Sequence, residues 1–202
     1  MEKIKLDKIK FIKSSLAESS EVKLKIEKEC MEDILSAVKV LTNSFKNGNK
    51  LLLCGNGGSA ADCQHLATEF VIRLSHEIER PAIPAISLTT DTSNLTAGGN
   101  DIGFVNVFAR SIQGLGQSGD VLLAISTSGN SPNIIRAAEA AKAKRMKIIG
   151  FLGGNGGEIK PLVDVQIIIP SYNVQRIQEG HITVGHIICE LVENELYGNQ
   201  RI

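Results

Sequence analysis

Residues 121–132 read VLLAISTSGNSP, and the way this stretch changes character decides the fold. Val121 to Ile125 is an apolar run of strand length, too short for a helix, and the hydroxyl- and glycine-rich residues after it can extend neither. Pro132 then suits the first turn of a helix. A buried strand that ends in a loop of small residues and passes into a helix is the unit from which parallel α/β sheets are built. Ser126, Thr127, Ser128 and Ser131 place four hydroxyls around Gly129, where the backbone N–H groups and positive dipole of the helix start favour an anion. No Lys or Arg lies within STSGNS and the GxxxxGK[ST] pattern is absent, so the loop suits a small phosphate monoester rather than a nucleoside triphosphate. The competing reading is an ordinary Ser/Asn helix cap.

Outward from this stretch the same alternation recurs. Short apolar runs at Lys50 to Cys54, Ala85 to Leu88, Lys147 to Leu152 and Val165 to Ile169 predict four more strands. The segments 59–74, 104–116, 131–145 and 176–197 are long enough for crossover helices, placed on both faces by right-handed connections. The predicted architecture is a three-layer α/β sandwich on a five-stranded parallel sheet. Before it, apolar residues at helical spacing from Ile4 to about Phe45 predict two helices broken near Ser19 and Ser20, and Asn47-Gly48-Asn49 ends the second. Residues 1–202 read as one domain, with 1–47 as a helical segment for packing or for contact between copies.

In such a sheet ligands bind beyond the carboxyl ends of the strands. The loop after the first strand, Gly55-Asn56-Gly57-Gly58-Ser59, lacks GxGxxG spacing, and no acidic residue closes a clear second strand, which disfavours a dinucleotide. Its glycines allow close backbone approach of a ligand, with Asn56 and Ser59 as polar contacts. The loop from Gly153 to Lys160 has no hydroxyls and reads as a mobile connection. On the helix after GNGGS, His65 and Glu69 stand four residues apart and share a face, the spacing of two ligands to one metal ion or of an ordinary structural pair. The last helix offers Gln178, Glu179, His181 and His186 after Arg176. Gln178 and His186 are ~12 Å apart along a straight helix, a long reach to one ion unless one of them serves a neighbouring subunit. Spacing alone does not choose between His181 and His186.

Composition narrows the class. The 202 residues carry 22 Lys+Arg against 22 Asp+Glu with 43% apolar side chains, which supports one globular core and offers no basic field for nucleic acid. No apolar run approaches the roughly 20 residues of a membrane span, so no membrane partner is expected and the chain is expected in the cytoplasm. Cys30, Cys54, Cys63 and Cys189 form no CxxC pair and read as buried free thiols.

The segments GNGGSAADCQH (55–65), NDIGF (100–104), GDVLLAISTSGNS (119–131) and RIQEGHITVGH (176–186) together resemble the sugar isomerase (SIS) domain, and within it the phosphoheptose isomerase family. The likeness runs from about Leu16 to Leu196. It implies the flavodoxin-like strand order, and a sugar-phosphate substrate held by Ser126, Thr127, Ser128 and Ser131 at the phosphate. Asn56, Gly57, Gly58, Asn100, Asp101, Glu69 and Gln178 would line the sugar. The likeness further implies one zinc ion per subunit on His65, Glu69, Gln178 and His186, leaving His76 and His181 without a role. A homotetramer with sites at subunit contacts is implied as well.

The implied reaction converts sedoheptulose 7-phosphate to D-glycero-D-manno-heptose 7-phosphate, the first step toward nucleotide-activated heptose and lipopolysaccharide. A ketose–aldose exchange moves a proton between C1 and C2 through an enediol. Glu69 suits the carbon-bound proton and His186 the hydroxyl or ring-oxygen proton, with zinc polarising the carbonyl. A non-catalytic SIS module, either an adaptor for a replication initiator or a sugar-phosphate sensor, is the alternative. Such a module needs no paired acid and base, and Glu69 with His186 favours the enzyme.

Overall fold

A computed structural model describes residues 2–198, with side chains from residue 7 onward. Two helices come first, α1 (Glu2–Glu29) and α2 (Met31–Lys46), followed by β1 (Leu51–Gly55), α3 (Gly58–Val71) and β2 (Ala85–Ser87). Then come α4 (Thr92–Asp101), α5 (Val107–Leu115), β3 (Val121–Ser126), α6 (Pro132–Ala143), β4 (Lys147–Gly153), β5 (Val165–Ile169) and α7 (Val174–Tyr197). All strand pairs are parallel, in the order β2-β1-β3-β4-β5. This is the flavodoxin-like order that the resemblance implied.

β1 and β3 are buried along their whole length, as continuous apolar runs require in a sheet covered on both faces. Alternate strand residues feed two cores. Leu51, Leu53, Leu123, Ile125, Phe151 and Ile167 pack under α2, α3 and α7, with Val22 and Ile26 of α1 joining them. Leu52, Cys54, Leu122, Ala124, Ile148 and Leu152 pack under α5 and α6. The sandwich therefore has three layers. All four cysteines are free and buried.

The expected break near Ser19 and Ser20 does not occur. Neither serine is flanked by Gly or Pro, Glu21 and Lys25 pair at 2.8 Å across one turn, and Val22 and Ile26 anchor the stretch in the core, so α1 runs through. The break lies at Cys30, whose backbone turns to φ −114°, ψ −1° while its thiol meets the Ile168 carbonyl at 3.4 Å. Bonds from Cys30 N to Ile26 O and from Ile34 N to Cys30 O carry the helical path across it, which makes it a kink.

Two other expectations change. The helix expected over 104–116 is a 3-10 turn at Phe104–Asn106 leading into α5, and α4 before it was not anticipated. The α4 sequence TSNLTAGGND has poor helix propensity, but the Asp91 carboxylate caps Asn94 N at 3.0 Å, and Gly98 lets the helix lie against Val107. The Gly153–Lys160 loop is a brace rather than a mobile connection. Ile159 N donates to Gly129 O at 3.0 Å and Glu158 N donates to Asn130 Oδ1 at 2.8 Å.

Candidate active site

The order of the strands places a topological switch between β1 and β3, where crossovers leave toward opposite faces and a crevice opens. GNGGS and STSGNS are the two loops at this point. They are clasped by Asn56 and Asn133, whose amides exchange bonds in both directions, Asn56 Nδ2 to Asn133 Oδ1 at 2.9 Å and Asn133 Nδ2 to Asn56 Oδ1 at 2.8 Å. Asn133, buried in the first turn of α6, escaped the sequence reading, and its only signal was an amide two residues past the hydroxyl loop.

In the hydroxyl loop, Ser126 Oγ lies 3.2 Å from Ser131 Oγ and accepts from Gly129 N at 3.1 Å. Ser128 Oγ accepts from Asn130 N at 3.2 Å. Ser131 occupies the N-cap of α6 without spending its side chain on the cap, so the plain capping role does not account for it. Gly129 has φ +66°, and a Cβ there would lie 2.0 Å from the Gly156 carbonyl oxygen, so only glycine lets the brace loop close against the hydroxyl loop. Thr127 and Ser128 line a cleft of about 260 Å³ with Asn155, Tyr172 and Ile177. Neither α3 nor α6 has an acidic residue in its first turn, so both N-termini stay receptive to an anion.

Helices α3 and α7 lie side by side and run in the same direction, as three contacts show. A Cβ on Gly58 would come within 2.4 Å of Gln178 Nε2, and one on Gly185 within 2.6 Å of Leu66 Cδ2. Beside the second contact His65 Nε2 lies 2.8 Å from His186 Nε2, with the rings edge to face, and 3.3 Å from Glu69 Oε1. One ligand atom from each of His65, Glu69 and His186 falls within 4.8 Å of the others. Two imidazole nitrogens and a carboxylate oxygen make a donor set suited to zinc or a similar divalent ion.

The geometry thus separates the two histidines that spacing left open. His186 joins His65, whereas His181 is fully buried against Phe151 and donates from Nε2 to the Leu152 carbonyl at 2.9 Å. Burial drives the pKa of His181 down to about 4, and the Leu152 bond opposes that only in part. Gln178 contacts Gly58 at the start of α3, about two turns below His65. Asn100 and Asp101 bond to each other at 2.7 Å on the last turn of α4, and Asp101 borders a cleft with Arg110 and Ser111. Among the described residues no hydrogen bond links either of them to the His65–Glu69–His186 group. Asp62, three residues before His65, was also missed. Burial raises its carboxyl to about 6, with His65 pulling the other way, and one oxygen finds no partner among the described residues.

Comparison with known proteins gives the family. The SIS domain family matches residues 16–153. A phosphoheptose isomerase of Pelodictyon phaeoclathratiforme is 49% identical over 179 residues, 88% of this chain and 85% of that protein. One of Clostridium acetobutylicum is 48% identical, covering 94% of this chain and 97% of its own. Among solved structures, the phosphoheptose isomerase GmhA from Neisseria gonorrhoeae superposes with a TM-score of 0.86 at 40% identity, over 92% of this chain and 98% of that one. A phosphoheptose isomerase from Francisella tularensis gives 0.88 at 36% over the same shares.

Proposed function

The chain belongs to the SIS domain family, among its phosphoheptose isomerases, and on that premise we propose that it interconverts sedoheptulose 7-phosphate and D-glycero-D-manno-heptose 7-phosphate. The observation that carries this reading is the convergence of His65, Glu69 and His186 from two helices far apart in sequence. A binding module needs a phosphate loop but no such group, which disfavours the adaptor and sensor readings.

The phosphate rests on the hydroxyls of Ser126, Thr127, Ser128 and Ser131 and on the N-terminus of α6. Asn56, Gly57 and Gly58 face the sugar, with Asn56 held in place by Asn133. Glu69 takes the proton from C1 of the ketose and returns it to C2, so the C–H bond broken at one carbon is remade at the next. His186 moves the hydroxyl proton in step, from the oxygen on C1 to the oxygen on C2. His65, Glu69 and His186, with Gln178 as a further ligand, would hold one zinc ion per subunit, which would polarise the substrate carbonyl. A carboxylate ligating through one oxygen would keep the other for the proton, which would reconcile the two duties of Glu69. Gln178, Asn100 and Asp101 stand apart from the cluster within one chain, in keeping with a cytoplasmic homotetramer whose sites form at subunit contacts. The product leads toward nucleotide-activated heptose and lipopolysaccharide.

The test is incubation with sedoheptulose 7-phosphate with and without a chelator, following aldose formation. Glu69→Gln and His186→Ala should each lower kcat by about 10²- to 10⁴-fold in protein that remains folded, and the chelator should abolish turnover. Elemental analysis should find zinc in the wild type and its loss in His65→Ala; unaltered metal content would remove His65 from the ligands. A wild type without turnover that instead captures a replication initiator would replace the enzyme reading with the adaptor.

A further inference from the structure

We propose that Arg80 is a positioning residue that sets the register between the helix carrying His65 and Glu69 and the helix carrying His186. This rests on reading those three residues as one metal-holding and proton-moving group. Arg80 belongs to the connection between α3 and β2, and its side chain is almost wholly buried. The guanidinium donates from one terminal nitrogen to the carbonyl of Glu69 at 2.7 Å and from the other to the carbonyl of Phe70 at 2.8 Å. The last bond at the end of α3 runs from Ile72 N to Thr68 O, so the Glu69 and Phe70 carbonyls lie beyond the reach of the helix ladder. A cation there also meets the negative end of the helix dipole.

The third contact reaches the other helix. Arg80 Nε donates to Glu193 Oε1 at 2.5 Å, and Glu193 is buried on α7. Glu193 lies seven residues beyond His186, two turns and about 10.5 Å along the same face. One planar fork therefore grips the backbone of Glu69 itself and the α7 face that bears His186. It spans the helices about one turn beyond Leu66 on α3 and two turns beyond Gly185 on α7. An aliphatic or ammonium side chain cannot reproduce three divergent donors in one plane. The metal-facing side chains are thus aligned by a residue that need not touch substrate or ion.

The experiment compares wild type with Arg80→Lys and with the double variant R80M/E193M. The double variant removes both charges together, so no buried ion is left unpaired, and far-ultraviolet dichroism checks that the fold is retained. Cobalt(II) is the probe: its visible absorption on binding reports affinity without any turnover. Both variants should bind cobalt about 10- to 100-fold more weakly, the usual cost of losing an outer support to a metal ligand. Both should lose kcat while KM for the sugar phosphate stays within about twofold, because the phosphate loop is built on β3 and α6. Lower melting temperature with wild-type cobalt affinity and kcat in the double variant would overturn the proposal. A wild type that takes up no cobalt would overturn it together with the metal reading. A wild type that takes up cobalt yet converts no heptulose phosphate would fail only the substrate reading, and cobalt affinity would still decide the role of Arg80.

Discussion

His181 sits in the core with Nε2 bonded to the Leu152 carbonyl and Nδ1 without a partner among the described residues, an environment that accepts only the neutral ring. Its pKa falls from 6.5 in the open chain to about 4 in the fold. The unfolded chain therefore binds the extra proton first as pH drops. The stability that His181 contributes is complete above pH 6.5 and is lost as pH falls toward 4, on the order of 3 kcal/mol over that window. Urea unfolding at pH 7.5 and pH 5 should show about two thirds of this loss in the wild type. His181→Gln, which can still donate to Leu152 O, should show a flatter dependence; parallel curves for the two proteins would exclude His181 as the source. Ser128 is the opposite case, exposed, with its hydroxyl accepting a single local bond from Asn130 N. Ser128→Ala should change stability by less than about 0.5 kcal/mol yet raise KM for the phosphorylated sugar. An unchanged KM would move the phosphate elsewhere.

Among the elements, the α3–α7 pair carries the proposed chemistry, and glycine sets how closely its members approach. A methyl group on Gly185 would collide with Leu66, one residue from His186 on one side and one from His65 on the other. Gly185→Ala should therefore push α7 outward, costing about 1–3 kcal/mol and lowering kcat with little change in KM. Adding Leu66→Ala should restore part of the kcat by vacating the space, and no restoration would show that the spacing is set elsewhere. This pairing also marks how far sequence could be read. Strands β1, β3 and β4 were legible because short apolar runs end abruptly in glycine or hydroxyl residues, and β5, interrupted only by Gln166, because its run stops at Pro170. The His65–Glu69 pair was legible because four residues is one helical turn. The choice of His186 over His181 came from the resemblance and not from spacing, since five residues rotate a side chain by about 140° and only the packing face of α7 tells which one looks at α3. Arg80 was invisible for a related reason: it lies in a connection without periodicity, and its acidic partner is 113 residues away. Helix α4 was hidden because a cap and a contact to Val107 override its weak propensity.

At the scale of the whole molecule the sandwich is covered on both faces, yet the outer surface of its α1–α2–α7 side remains apolar. Leu24 of α1, Met31 and Leu35 of α2 and Ile187 of α7 are 57%, 52%, 51% and 40% exposed. Met31, Leu35 and Ile187 border a groove of about 270 Å³ floored by Ile26 and Ile34. A lone soluble chain gains nothing by leaving such a patch in water, whereas burying it between copies is favourable at about 25 cal/mol per Å². The proposed homotetramer would use this face, and the separation of Gln178, Asn100 and Asp101 from the His65–Glu69–His186 group within one chain would give such an assembly a catalytic purpose. Leu35→Arg places a charge at the centre of the groove without touching either core, so the isolated fold should persist with an unchanged far-ultraviolet dichroism spectrum. Sedimentation velocity should then report a species smaller than the wild type, and turnover should fall with it. A variant that keeps the wild-type assembly would take this face out of the contact. A smaller species with full turnover would show that each chain completes its own site, so that Asn100 and Asp101 could not serve a neighbour's substrate.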